Sequence, residues 1–194
     1  IKLLTKEDVI LRGADPVLFR LAPALVMGSA LAMFAVLPFA PGVQFADIDL
    51  GVYFLLAIAS LTTIGVIMAG WGSNNKWSLY GAMREAAQAT SYEIPLALSL
   101  IPPILHFGTF SLLSATEQQS GWGGMQWYIF SDAFWVAIPS FFLFFTAALA
   151  ENKRAPFDLP ESESELVAGF HTEYSGLRFA FFFLEEYAAM FAAS

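Results

Sequence analysis

Cysteine is absent from this 194-residue sequence, which excludes disulfides, thiolate-held iron–sulfur clusters and cysteine nucleophiles within it. Histidine occurs only as His106 and His171, too few for a histidine-rich metal or haem site. Charge is scarce too: 13% of the residues are Asp, Glu, Lys or Arg, where a soluble domain carries about 25%. Positive charge is the scarcer kind, with nine Lys/Arg against seventeen Asp/Glu and a formal net charge of -8. Neutralising phosphates takes clustered Lys/Arg, so nucleic acid is set aside as a partner. The segment Gly70 to Lys76 (GWGSNNK) lacks the GK[ST] of a phosphate loop and follows no strand, so it is a turn by composition. Any redox chemistry the protein serves is therefore carried by a partner.

What the sequence has instead is apolar length: 57% of it is hydrophobic and its mean hydropathy is +0.61. A membrane span needs about 20 mostly apolar residues. Leu21 to Ala46, Leu50 to Asn75 and Ile94 to Thr116 carry no charge, and Ala133 to Ala150 is shorter but dense in Phe and Ala. A fifth apolar segment, near 177–194, is interrupted by Glu185 and Glu186. None of these runs has a polar stripe, which fits helices facing lipid or one another. The expected fold is all-α, a polytopic transmembrane helix bundle with about five spans, near 21–41, 50–70, 86–113, 133–150 and 177–194. Residues 1–20 alternate charged and apolar side chains, as in an amphipathic segment lying on the membrane surface, a plain soluble tail being the alternative. The adjacent Pro102 and Pro103 predict a kink in the third span.

If the five runs span, all nine Lys/Arg (2, 6, 12, 20, 76, 84, 153, 154 and 178) fall on one side. By the positive-inside rule that side is the cytoplasm or the organellar matrix, and the long acidic loop 151–176 lies there. The acids are concentrated elsewhere than the bases. Eleven of the seventeen (Glu85, Glu93, Asp132, Glu151, Asp158, Glu161, Glu163, Glu165, Glu173, Glu185 and Glu186) sit in or beside the last three spans. A charge near the bilayer centre costs on the order of 2.5–3.5 kcal/mol, so Glu93, Glu185 and Glu186 imply burial in protein or contact with water. Two readings follow: interhelical hydrogen bonds, or carboxyls that gain and lose protons along a path. In the loop, Asp158 and Glu161 have capping spacing, and Glu161 and Glu165 share a face. Arg154, followed by Ala155-Pro156-Phe157, is either a basic clamp for these acids or a topology determinant.

Two stretches, GWGSNNKWSLYGAMREAAQATSYE (Gly70 to Glu93) and ENKRAPFDLPESESELVAGFHTEYSGLRFAFFFLEEY (Glu151 to Tyr187), resemble the hallmarks of the quinone-tunnel membrane subunit of respiratory complex I. The resemblance covers essentially the whole sequence and implies a subunit of a proton-translocating NADH:quinone oxidoreductase. It implies quinone as substrate, with NADH, FMN and iron–sulfur clusters held by partner subunits and no cofactor bound by this chain. Expected partners are the iron–sulfur and quinone-site subunits of the peripheral arm, small membrane-arm subunits and membrane lipid, in a bacterial plasma membrane or mitochondrial inner membrane. Carried over, Glu93, Glu151, Glu161, Glu163, Glu165 and Glu186 match acids of the proton path. Arg154, Phe157, Asp158 and Glu173 match the loop that lines the quinone chamber. Glu85, Lys153 and Glu185 stand where the family pattern usually has small or uncharged residues, and the resemblance gives them no role. The family chain is longer at both ends, so this sequence reads as a fragment. The corresponding membrane subunit of an energy-converting hydrogenase-type complex is the alternative, and a plain membrane anchor or cation carrier a third.

Overall fold

The structure, a computed structural model, describes residues 2–40, 43–121, 126–157 and 169–193. Its helices are α1 (Lys2–Thr5), α2 (Pro16–Val36), α3 (Gly51–Gly72), α4 (Lys76–Phe107), α5 (Leu112–Gln119), α6 (Phe134–Glu151) and α7 (Gly176–Ala193). Short 3-10 turns lie at Tyr128–Phe130 and Gly169–His171, and no β-strand occurs among the described residues.

The helix starts follow from local chemistry. Asp15 accepts from the amides of Val17 and Leu18 at 2.9 and 3.3 Å, and Pro16 fills the first turn of α2, where its missing N–H leaves nothing unpaired. Asn75 caps α4 in the same way, accepting from Trp77 N at 3.0 Å. At the other end α4 stops at Gly108, whose φ of 65° suits glycine. The helix runs on through Pro95, Pro102 and Pro103 to Phe107. After the break at 108–111, α5 is turned 62° away from α4.

The bundle is an all-α membrane architecture. α2, α3 and α6 are each long and apolar enough to cross a membrane, and the bent pair α4 and α5 makes a fourth if the two count as one span. α7 is 18 residues long but carries Arg178, Glu185 and Glu186, so the fifth expected span is a charged helix rather than an apolar rod. Outward-facing Trp135, Phe142 and Leu105 are all more than half exposed, which suits lipid or further protein segments and not water.

α2 packs along α3, α3 along α4 and α4 along α6, while α7 closes against α2. Hydrogen bonds fix which ends meet. Asp15 N donates to Gly72 O at 3.0 Å, Ser78 Oγ to Phe170 O at 2.6 Å and Gln88 Nε2 to Ala150 O at 2.7 Å. The starts of α2 and α4, the ends of α3 and α6 and the turn before α7 therefore share one end of the bundle. The main core lies there too, with Phe19, Val26, Val66, Ala82, Tyr174 and Phe182 buried together. Phe19 and Tyr174 stack at 4.1 Å between centroids. The N-terminal segment is tied to the same end: Arg178 pairs with Asp8 at 2.9 Å, and Val9 N donates to Ser175 Oγ at 3.4 Å.

Candidate functional site

Between α2, α3, α4, α6 and α7 lies a cavity of about 260 Å³. Its walls come from single helix faces. Glu85, Ala89, Leu96 and Leu100 repeat at helical spacing on α4, and Glu185, Ala189 and Ala192 do so on α7. α2 adds Met33 and Leu37, α3 adds Leu55, Leu56, Ala59, Thr62 and Thr63, and α6 adds Phe144 and Ala148. Most of the wall is apolar, but Glu85, Glu151, Lys153, Glu185 and Glu186 collect at the basic end of the bundle.

These charges are largely removed from solvent. Glu85, Glu185 and Glu186 retain 3%, 6% and 8% of their exposure. Unpaired, each would carry a heavy desolvation cost. Lys153 Nζ bonds Glu85 Oε1 across the gap between the end of α6 and α4. Arg154 Nη2 meets Glu186 Oε1 at 3.1 Å, while its guanidinium lies 5.5 Å from the Tyr187 ring centroid and its Nε donates to Met190 Sδ at 2.8 Å. Glu151, closing α6, stands within electrostatic reach of Glu93, Glu185 and Lys153. Glu93 itself accepts a hydrogen bond from Ser60 Oγ of α3.

Gln88 holds the start of the loop in place, donating from Nε2 to Ala150 O at 2.7 Å and to Phe157 O at 2.8 Å. Phe157 then packs edge-on against Tyr92 of α4 at 5.4 Å. Glu173 sits apart from the cavity, accepting from Asn75 Nδ2 beside the start of α4. His171 is buried, and its edges contact the Phe170 and Phe179 rings at 4.8 and 5.1 Å. Burial first, and the nearby Lys153 charge second, push its imidazole down to about 4.

The structure thus brings Glu151, Glu186 and Arg154 together, with Glu93 one layer deeper on α4 and Glu173 elsewhere. The remaining sequence-predicted site residues, Asp158, Glu161, Glu163 and Glu165, lie outside the described residues. Glu85, Lys153 and Glu185, to which the family resemblance gave no role, line the same cavity. The signal for Glu85 is its helical spacing with Ala89, Leu96 and Leu100, which puts it on the face of α4 that lines the cavity. Among the described residues no group of three or more His, Asp or Glu has the arrangement of a metal site.

The family model described as NADH dehydrogenase matches residues 1–194. The chain is 46% identical over 195 residues to the H subunit of NADH-quinone oxidoreductase from Chlorobaculum parvum, covering 100% of this chain and 54% of that protein. It is 51% identical over 192 residues to the protein of the same description from a Geobacillus species, covering 99% and 55%. With the one from Bacillus mycoides it shares 49% over 194 residues, covering 100% and 56%. The chain spans about half the length of the curated relatives it matches.

Proposed function

The chain belongs to the NADH dehydrogenase family, and from that premise we propose that it forms the acid-lined proton entry of a membrane subunit in a proton-translocating NADH:quinone oxidoreductase. The observation that carries this reading is the cavity, apolar along its length and closed at one end by Glu85, Glu151, Glu185, Glu186 and Lys153. A structural hydrogen bond needs one acid and one partner. Several carboxyls on three helices around a common void give a proton successive acceptors with room for water between them.

The loop after α6 belongs to the same reading. Arg154 pairs with Glu186 of the cavity wall and Phe157 packs on Tyr92. By resemblance Asp158, Glu161, Glu163 and Glu165 belong to the loop that lines the quinone chamber, as does Glu173, although it bonds Asn75 away from the cavity. A quinone joins a small polar head to a long apolar tail, so its chamber opens to lipid and ends beside an electron donor held by a partner subunit. Charge changes at the quinone head then act on carboxylates through a medium of low dielectric, where they are felt over longer distances than in water.

In the assembled complex, Glu151→Gln and Glu186→Gln should each lower quinone reduction and proton translocation together, by about tenfold or more, while assembly persists. The measurement is quinone-dependent NADH oxidation with a pH-sensitive dye in proteoliposomes. Parental rates and proton stoichiometry in both variants would overturn the assignment.

A further inference from the structure

Lys153 occupies a backbone position where lysine is a poor choice. α6 ends with the Lys153 amide donating to Ala150 O at 3.3 Å and the Arg154 amide donating to Leu149 O at 3.1 Å. That closing motif requires a left-handed residue at 153, and Lys153 has φ 55°, where glycine or asparagine is favoured. The side chain is also only 10% exposed, so its ammonium is largely desolvated. Strain and desolvation at one residue persist when something specific is gained from that side chain.

What surrounds the ammonium indicates the gain. Every described element packed against it presents a charged or titratable group: Glu85 from α4, Glu151 from α6, Glu185 and Glu186 from α7 and His171 from the 3-10 turn. Arg154, next along the chain, is turned to Glu186. The ammonium lies 5.4 Å from the centroid of the Phe170 ring, a face that favours a cation. Its charge acts on Glu151, Glu185 and His171. The Glu85–Lys153 pair is not required to dock α4 on α6, because Gln88 donates to Ala150 O and Ser140 Oγ donates to Ser99 O at 2.6 Å.

We infer that Lys153 is a positioning residue for proton transfer through the cavity: clamped by Glu85, its ammonium sets the charge balance of Glu151, Glu185 and Glu186. With the cation fixed among them, one carboxylate can be ionised beside another, so a proton arriving at one is passed on instead of being held. This inference rests on the proton-path reading of the cavity. It adds to that reading a residue that carries no proton itself.

The test uses the whole assembled complex with Lys153→Gly, which removes the ammonium and relieves the backbone, and Lys153→Arg, which keeps the charge on the same backbone. Lys153→Asn, the other residue that tolerates this φ, serves in place of glycine if the glycine chain does not assemble. In Lys153→Gly the pH profile of quinone reduction moves to higher pH by about one unit, protons translocated per quinone fall, and Lys153→Arg restores the profile. A merely structural lysine changes the amount of complex assembled and leaves the profile where it was. An unmoved profile in Lys153→Gly with coupling lost in Glu151→Gln overturns this inference alone. Intact coupling in both removes the proton-path reading and the inference with it.

Discussion

His171 sits between Phe170 and Phe179, and burial first, with the nearby Lys153 charge second, holds it neutral down to about 4. Its folded-state value lies below the ordinary one, so the unfolded chain binds the proton more readily. Stability from this group is then complete above about pH 6.5 and declines as pH falls toward the folded value. The expected loss between about pH 7 and about pH 5 is roughly 2 kcal/mol. His171→Phe should flatten that acid dependence in thermal unfolding of the detergent-solubilised protein, and an unchanged slope would mean that the histidine charges without cost. Other residues read differently from sequence. Glu93 and Glu186 were legible because an acid inside an apolar run is conspicuous. Lys153 was not, since nothing in a chain of letters shows a left-handed residue placing its ammonium between Glu85 of α4 and the Phe170 ring.

At the scale of elements, α4 organises the site. Its N-cap, its contact with the 3-10 turn and its two acids all lie between Asn75 and Glu93. Gly81 is the close-approach point: a Cβ there would stand 2.7 Å from the Gly169 carbonyl carbon and the Phe170 nitrogen, and backbone yields little. Ser78 beside it donates to Phe170 O at 2.6 Å. Gly81→Val should therefore push the 3-10 turn off α4 and remove most of the assembled protein, at a cost of about 1–3 kcal/mol or more. Immunoblotting of membranes before and after mild heating measures this, and parental abundance would show that the turn moves freely. The sequence expectation starts the third span near 86, and α4 itself starts ten residues earlier, at Lys76. Lys76, Arg84 and Glu85 break the apolar pattern without breaking the helix that Asn75 has started. Hydropathy records where lipid is tolerated, and capping records where hydrogen bonding begins.

For the whole molecule the organising quantity is the side on which each loop emerges. Asp15–Gly72, Ser78–Phe170 and Gln88–Ala150 hydrogen bonds draw alternate helix ends to one end of the bundle, and the distribution of Lys and Arg predicts that this end faces the cytoplasm or matrix. Because the sequence has no cysteine, single introduced thiols report cleanly on topology. A membrane-impermeant maleimide should label Lys76→Cys, which is exposed, only from the cytoplasmic or matrix side, and Gln118→Cys, also exposed, only from the other. Labelling of both from one side would overturn the orientation.

Sequence alone determined that this chain is an all-α membrane protein and that eleven of its seventeen acids lie in or beside the last three apolar runs. The cost of dehydrating a charge acts residue by residue, so a one-dimensional map of charges suffices for that. Only the tertiary structure decided which acids meet, which cation stands among them and that Glu173 stays apart. Those pairings depend on the rotation of each helix about its axis. That rotation is set by close contacts such as Gly70 on Ala82 and Gly65 on Val26, between residues whose proximity no local pattern encodes.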